Sequence, residues 1–185
     1  MSEQYNIQIV KSRRKTISLQ LKPDGAILVK APTRVSNRYI REFIASHQGW
    51  IENQFQKMEQ VREAAGVPLT EAEIKELYEK AAKLIPERVA YYAAKIGVTF
   101  GRITIRKQKT RWGSCSSRGN LNFNCLLMLT PDKAIDSVIV HELCHRKEMN
   151  HSPKFYEEIL KVFPEYYTWD RWLKKNGTAI LLKGR

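Results

Sequence analysis

Cysteine is scarce in this chain, three residues in 185. So few thiols, in odd number, exclude the disulfide framework on which small secreted scaffolds depend. Long apolar runs are also missing. The stretch from Ile135 to Val140 is interrupted by Asp136 and Ser137, and nothing approaches the roughly 20 apolar residues of a membrane span. The start, Met1 to Tyr5, has no basic segment followed by an apolar one, so no secretory signal is read there. These absences lead to the expectation of a soluble cytoplasmic protein with no membrane partner. Acid is in deficit too: 19 aspartates and glutamates face 32 lysines and arginines, a formal charge of +13. Histidine is the last shortage. The chain has four, and three of them fall between 141 and 151.

What is present bounds the fold. A length of 185 residues with 43% hydrophobic content supports a packed core and excludes global disorder. The excess cations favour polyanions or acidic substrates. They gather at Lys11 to Lys15, Arg34 to Arg41 and Lys107 to Arg111. Two readings stand: a solubilising surface, or a face for DNA or another polyanion.

Residues 5–31 alternate apolar and polar (Ile7, Ile9; Ile17, Leu19, Leu21; Ile27, Val29), the period of half-buried strands. With Pro23-Asp24-Gly25 as a turn, they predict an antiparallel β-meander. Ile40, Phe43, Ile44, His47, Ile51, Phe55, Met58 and Val61 mark an apolar helical face, expected to break at Gly49. His47 lies on that stripe and reads as a packing residue. Ala64 to Pro68 reads as a linker, dividing an N-terminal lobe, residues 1–66, from a catalytic region, residues 67–185. Thr70-Glu71-Ala72-Glu73 is a capping box. The helix after it should kink or restart at Pro86 and stop at Gly97. Strands are expected over 98–106, bent at Gly101, and over 120–124. Between them, Trp112-Gly113-Ser114-Cys115 is either a turn whose tryptophan covers the core or a segment bordering a ligand. Near the C-terminus a short aromatic helix is expected over 166–173, then a tail of uncertain order from Thr178.

The informative window begins with a helix that Thr130 should cap, with Pro131 at its first position. Ile135, Val138, Ile139 and Leu143 anchor it. His141 and His145, four apart, lie one above the other on one helix face. Glu142 sits beside the first. This H-E-x-x-H spacing suits two imidazole ligands of zinc with a carboxylate base next to them. Asn150, in a left-handed conformation, is expected to turn the chain so that His151 returns to the same point. Ser152-Pro153 then opens the next helix. Three protein ligands leave a fourth position for water, the layout of a catalytic rather than a structural zinc. Cys144 is a rival nucleophile, but it projects about 100° around the helix from His145 and reads as a small buried residue. Glu148 fits poorly as a third ligand. Glu157 and Glu158 are better placed to steady the ligands than to replace them.

The run from Thr110 to Ser116, the strand Gly119 to Asn124, and His141-Glu142-Leu143-Cys144-His145 continuing to His151-Ser152-Pro153-Lys154-Phe155 together resemble the YgjP-like metallohydrolases, which are similar to the SprT-like and WLM proteases. The resemblance implies an α+β, zincin-like fold: a small mixed or antiparallel sheet beside an active-site helix, with the N-terminal β-meander and helices added. It implies Zn2+ held by His141, His145 and His151, with Glu142 as base. It also implies that Trp112, Gly113 and Ser114 border the substrate cleft. The expected function is zinc-dependent hydrolysis of peptide or protein substrates. The alternative is a nucleic-acid-associated protein, or a DNA-recruited protease, that uses the basic surface.

Overall fold

The computed structural model describes residues 5–22 and 24–185. Its contacts group into two units, Met1–Glu63 and Ala64–Arg185.

In the first unit, alternation produces three strands: β1 (Ile7–Ser12), β2 (Ser18–Leu21) and β3 (Ile27–Pro32). Their order is β1-β3-β2, with β1 parallel and β2 antiparallel to β3. The expected meander is therefore corrected at one pair. The reason is burial. Ile27, Val29 and Ala31 are fully buried on β3, so the most apolar strand takes the doubly flanked position. β1 and β2, with polar alternates, take the edges. Pro23 of the expected turn lies outside the described residues; Asp24 and Gly25 turn the chain, with Asp24 Oδ1 accepting from the Ala26 amide. Two helices follow, α1 (Asn37–Ser46) and α2 (Gln48–Ala65). The break falls at His47, not Gly49, which sits inside α2. His47 ends α1, its Nδ1 2.8 Å from the Phe43 carbonyl and its ring 4.2 Å from that of Phe43. Ile40 and Ile51 close a small core over β3.

The second unit starts from α3 (Glu71–Ile96). The Thr70–Glu73 capping box forms, and Gly97 ends the helix in the left-handed region at φ 74°. The helix runs through Pro86 without a break. Leu77, Ala81, Ile85, Val89, Tyr92 and Ile96 are buried on both sides of the proline. Each large apolar side chain contributes about 1.5–3 kcal/mol on burial, which outweighs the roughly 3 kcal/mol cost of an interior proline.

A second three-stranded sheet follows: β4 (Ile103–Arg106), β5 (Gly113–Cys115) and β6 (Leu121–Asn124). The order is β4-β6-β5, with β4 parallel and β5 antiparallel to β6. The strand expected from Val98 is shorter, because Gly101 and Arg102 bond across to Gly119 and Asn120 before the ladder begins. A 3-10 turn, Cys125–Leu129, leads to α4 (Asp132–Cys144). Thr130 does not cap α4; its hydroxyl donates back to the Leu127 carbonyl, and Pro131 takes the cap position. Nine of the thirteen residues of α4 are buried, packed against α3, β5 and two later helices, α5 (Pro153–Val162) and α6 (Tyr166–Lys183). The expected short aromatic helix is thus a long one that absorbs the tail, tied down by the Leu69 amide donating to the Lys183 carbonyl. The arrangement is the α+β one expected, a small mixed sheet beside the helix that carries the histidine pair. Among the described residues no helix is long and apolar enough to cross a membrane.

Candidate metal centre

α4 ends one residue before His145, whose φ of −62° and ψ of −14° still keep the helical spacing from His141. The reversal after it is made by successive short backbone bonds: Arg146 to Leu143, and Lys147 and Glu148 to Cys144. No described residue other than glycine has positive φ, so Asn150 is not the left-handed pivot expected. Ser152 accepts from the Phe155 amide and Pro153 occupies the first turn of α5, so α5 begins where the sequence places it.

His151 is thereby returned to the pair. One ring nitrogen from each of His141, His145 and His151 lies within 4.8 Å of the others. The Nε2 atoms of His141 and His151 are 3.0 Å apart. A tetrahedral zinc with bonds of about 2.0–2.1 Å sets its nitrogens about 3.3 Å apart, so the three donors fit such an ion with small ring adjustments. Among the described residues no other group of histidine, cysteine and carboxylate side chains converges this way. The opposite ring nitrogens have partners. His141 Nδ1 is 2.8 Å from the Tyr166 hydroxyl and His145 Nδ1 is 3.2 Å from the Glu148 carbonyl. Such contacts fix ring orientation and leave the Nε2 atoms to the ligand site. Burial, with two further histidines beside it, holds His141 down to about 3; burial lowers His145 as well. Both rings are presented neutral, the form that binds metal.

Phe155 organises the cluster. It is fully buried, and its ring centroid lies 5.0, 4.6 and 4.9 Å from those of His141, His145 and His151.

Glu142 reaches toward β5 and is 7% exposed. A Cβ on Gly113 would stand 2.7 Å from Glu142 Oε1 and 2.8 Å from its Cγ, so the carboxylate occupies the space that a side chain at 113 would fill. Burial pushes Glu142 up to about 8, against the Arg111 charge and a bond from the Cys115 backbone. Two cavities meet at Gly113, His141 and Glu142. One, about 360 Å3, is faced by the three histidines, Arg111, Ser114 and Met149. The other, about 440 Å3, runs along α6 between Trp112, Val138, Tyr166, Leu173 and Leu181. Trp112 also packs against Gly177, where a Cβ would come within 3.0 Å of its ring.

A family model described as YgjP-like, metallopeptidase domain matches residues 15–74 and 67–176. The chain belongs to this family. As a YgjP-like protein it is a hydrolase of the metallopeptidase class. None of the curated proteins matches it. Among solved structures, the metallopeptidase zymogens abylysin of Pyrococcus abyssi and jannalysin of Methanocaldococcus jannaschii are each 23% identical with a TM-score of 0.45. The alignments cover 50% of this chain and 94% and 96% of theirs.

In this YgjP-like chain the structure gathers His141, His145, His151, Glu142, Trp112, Gly113 and Ser114 around the two cavities. It places other candidates elsewhere. Glu148 contributes its carbonyl rather than its carboxylate. Glu158 is engaged by Lys147 at 2.6 Å and by Lys161. Cys144 is buried, its thiol pushed up to about 12 chiefly by desolvation, which agrees with a packing role. Tyr166 and Phe155 were not readable as site residues. The aromatic run at 166–172 offers packing against the sheet or the active-site helix, or a tyrosine to hydrogen-bond an oxyanion, without singling out Tyr166.

Proposed function

We propose that this chain is a zinc-dependent peptidase in which His141, His145 and His151 hold the metal and Glu142 is the general base. The observation that carries the reading is the convergence of three imidazoles next to a buried carboxylate that opens on the same cavity. Three nitrogen ligands without a fourth protein donor suit a catalytic zinc. Such an ion would polarise the scissile carbonyl and acidify water at the site toward a pKa of about 7. Glu142 then takes the proton of the attacking water on its carboxylate and passes it to the departing amine. Burial raises Glu142 from the ordinary carboxylate range toward neutrality, where a carboxylate can both take up and release a proton. β5 is an edge of its sheet. Trp112, Gly113 and Ser114 there offer backbone to an extended peptide, which would lie along the edge as an added strand.

The test separates metal binding from turnover. Glu142→Gln is expected to keep one equivalent of zinc by elemental analysis while peptide hydrolysis falls by about 10²–10⁴-fold. His151→Ala is expected to lose the metal as well. A peptide-library digest run with and without chelator supplies the activity measurement. Full activity in Glu142→Gln, or unchanged zinc content in His151→Ala, refutes the assignment.

A further inference from the structure

The cations of the N-terminal unit are not spread evenly. Because β1 and β3 are parallel, with Ser12 opposite Pro32, their C-terminal ends leave the sheet side by side. The loops that follow are tied together: the Thr33 amide donates to the Ser12 carbonyl at 3.2 Å, and Lys11 Nζ donates to the Val35 carbonyl at 2.8 Å. These loops carry Arg13, Arg14, Lys15 and Arg34, and α1 continues directly with Arg38 and Arg41. From Tyr5 to Arg41 the single acidic residue is Asp24. It sits at the other end of β3, about 17 Å away at the usual rise per strand residue. Arg13, Lys15, Arg34 and Arg41 are exposed, and no ion pair or side-chain hydrogen bond engages them among the described residues. Arg38 pairs with Glu42 at 2.9 Å, so its charge is offset and it is left out of the count of phosphate contacts. Tyr39, 53% exposed, stands among them.

We propose that this end of the sheet is a docking surface for the phosphodiester backbone of nucleic acid. Guanidinium groups predominate, and their planar fork suits phosphate oxygens. They issue from neighbouring strands about 4.8 Å apart, which offers a row of charges to a repeating polyanion. Tyr39 adds a ring on which a base can stack. An anionic membrane fits less well, since Thr16, Thr33, Ser36 and Asn37 between the cations are polar and Tyr39 is a single ring rather than the apolar face that inserts into a bilayer. An acidic protein fits less well because the patch lacks an apolar centre of the kind that dominates protein interfaces. The surface does not depend on the metal reading above.

The full chain is titrated by fluorescence anisotropy with labelled single-stranded and duplex DNA. For four phosphate contacts, by Arg13, Arg14, Lys15 and Arg34, the affinity for duplex is expected to fall about 150-fold between about 50 and 200 mM salt. The variant Arg13→Ser/Lys15→Ser/Arg34→Ser is expected to bind about tenfold or more weakly at low salt, with a shallower salt slope. A control, Lys57→Ser/Lys75→Ser/Lys83→Ser, removes the same charge from exposed positions elsewhere and is expected to bind like the parent. Circular dichroism and thermal midpoints verify that both variants are folded. No binding of either strand form at low salt overturns the proposal. So does equal weakening in the two variants, which would make net charge the cause. Competition by polyglutamate as effective as that by unlabelled DNA also overturns it, in favour of an acidic protein partner.

Discussion

His141 is held from behind by a phenol. The Tyr166 hydroxyl lies 2.8 Å from His141 Nδ1, and burial raises the phenol above its ordinary range, so it stays neutral. Tyr166→Phe keeps the ring and removes this one contact. Metal affinity is expected to drop about 10–100-fold, as for other partners of ligating histidines, measured by competition with a chromogenic chelator. The same measurement on Tyr167→Phe, whose ring is 46% exposed, should show no change. At this scale the sequence is legible where chemistry follows from local spacing. His141, His145 and Glu142 sit within one helical turn and a half, so their shared location needs no tertiary information. Tyr166 and Phe155 reach the histidines only because α5 and α6 fold back on α4, a fact that no local pattern carries.

Among elements, some helix termini were the most readable features, although Thr130 does not cap α4 and Gly49 lies inside α2. The Thr70–Glu73 box, Gly97 and Ser152-Pro153 all act locally, through bonds to backbone a few residues away. Strand partners were less readable, because which strand becomes central depends on burial from helices distant in sequence. Pro86 shows the same override. Since α3 passes straight through it, Pro86→Ala restores a donor without moving the helix. It is expected to raise unfolding stability by about 1–3 kcal/mol, read from the urea midpoint. Glu158 links α5 to the reversal that follows α4 through Lys147, and also pairs with Lys161. These partners depress its carboxyl from 4.5 to about 2. A depressed folded-state value means that the contribution is complete above 4.5, where the unfolded chain is also ionised, and is lost as pH falls through about 2. Glu158→Gln should therefore be less stable than the parent at neutral pH, and the gap should close across that acidic window in denaturant titrations at stepped pH.

For the whole molecule, metal and folding are coupled. The three imidazoles come from α4, from the residue after it, and from the loop before α5, so an unfolded chain presents no such site. A ligand at about 1,000 times its dissociation constant stabilises by about 4 kcal/mol. Chelation is expected to lower the thermal midpoint by several degrees, and added zinc to restore it, in a scanning fluorimetry experiment. An unchanged midpoint would mean that the histidines bind no metal in the folded protein. Composition alone indicated a basic protein with a real core, and that was sound. It could not show that Arg13, Arg14, Lys15 and Arg34 collect at one end of a sheet, because that follows from β1 and β3 running parallel.

Both sheets place their last strand in the middle: β3 between β1 and β2, and β6 between β4 and β5. A nascent chain therefore makes both outer strands before it makes the one that joins them. Until residue 27 has left the ribosome the first sheet has no ladder, and until residue 121 the second has none. Each sheet closes in one step when its keystone arrives, and a stalled or truncated chain lacking that strand has two edges and nothing to pair them.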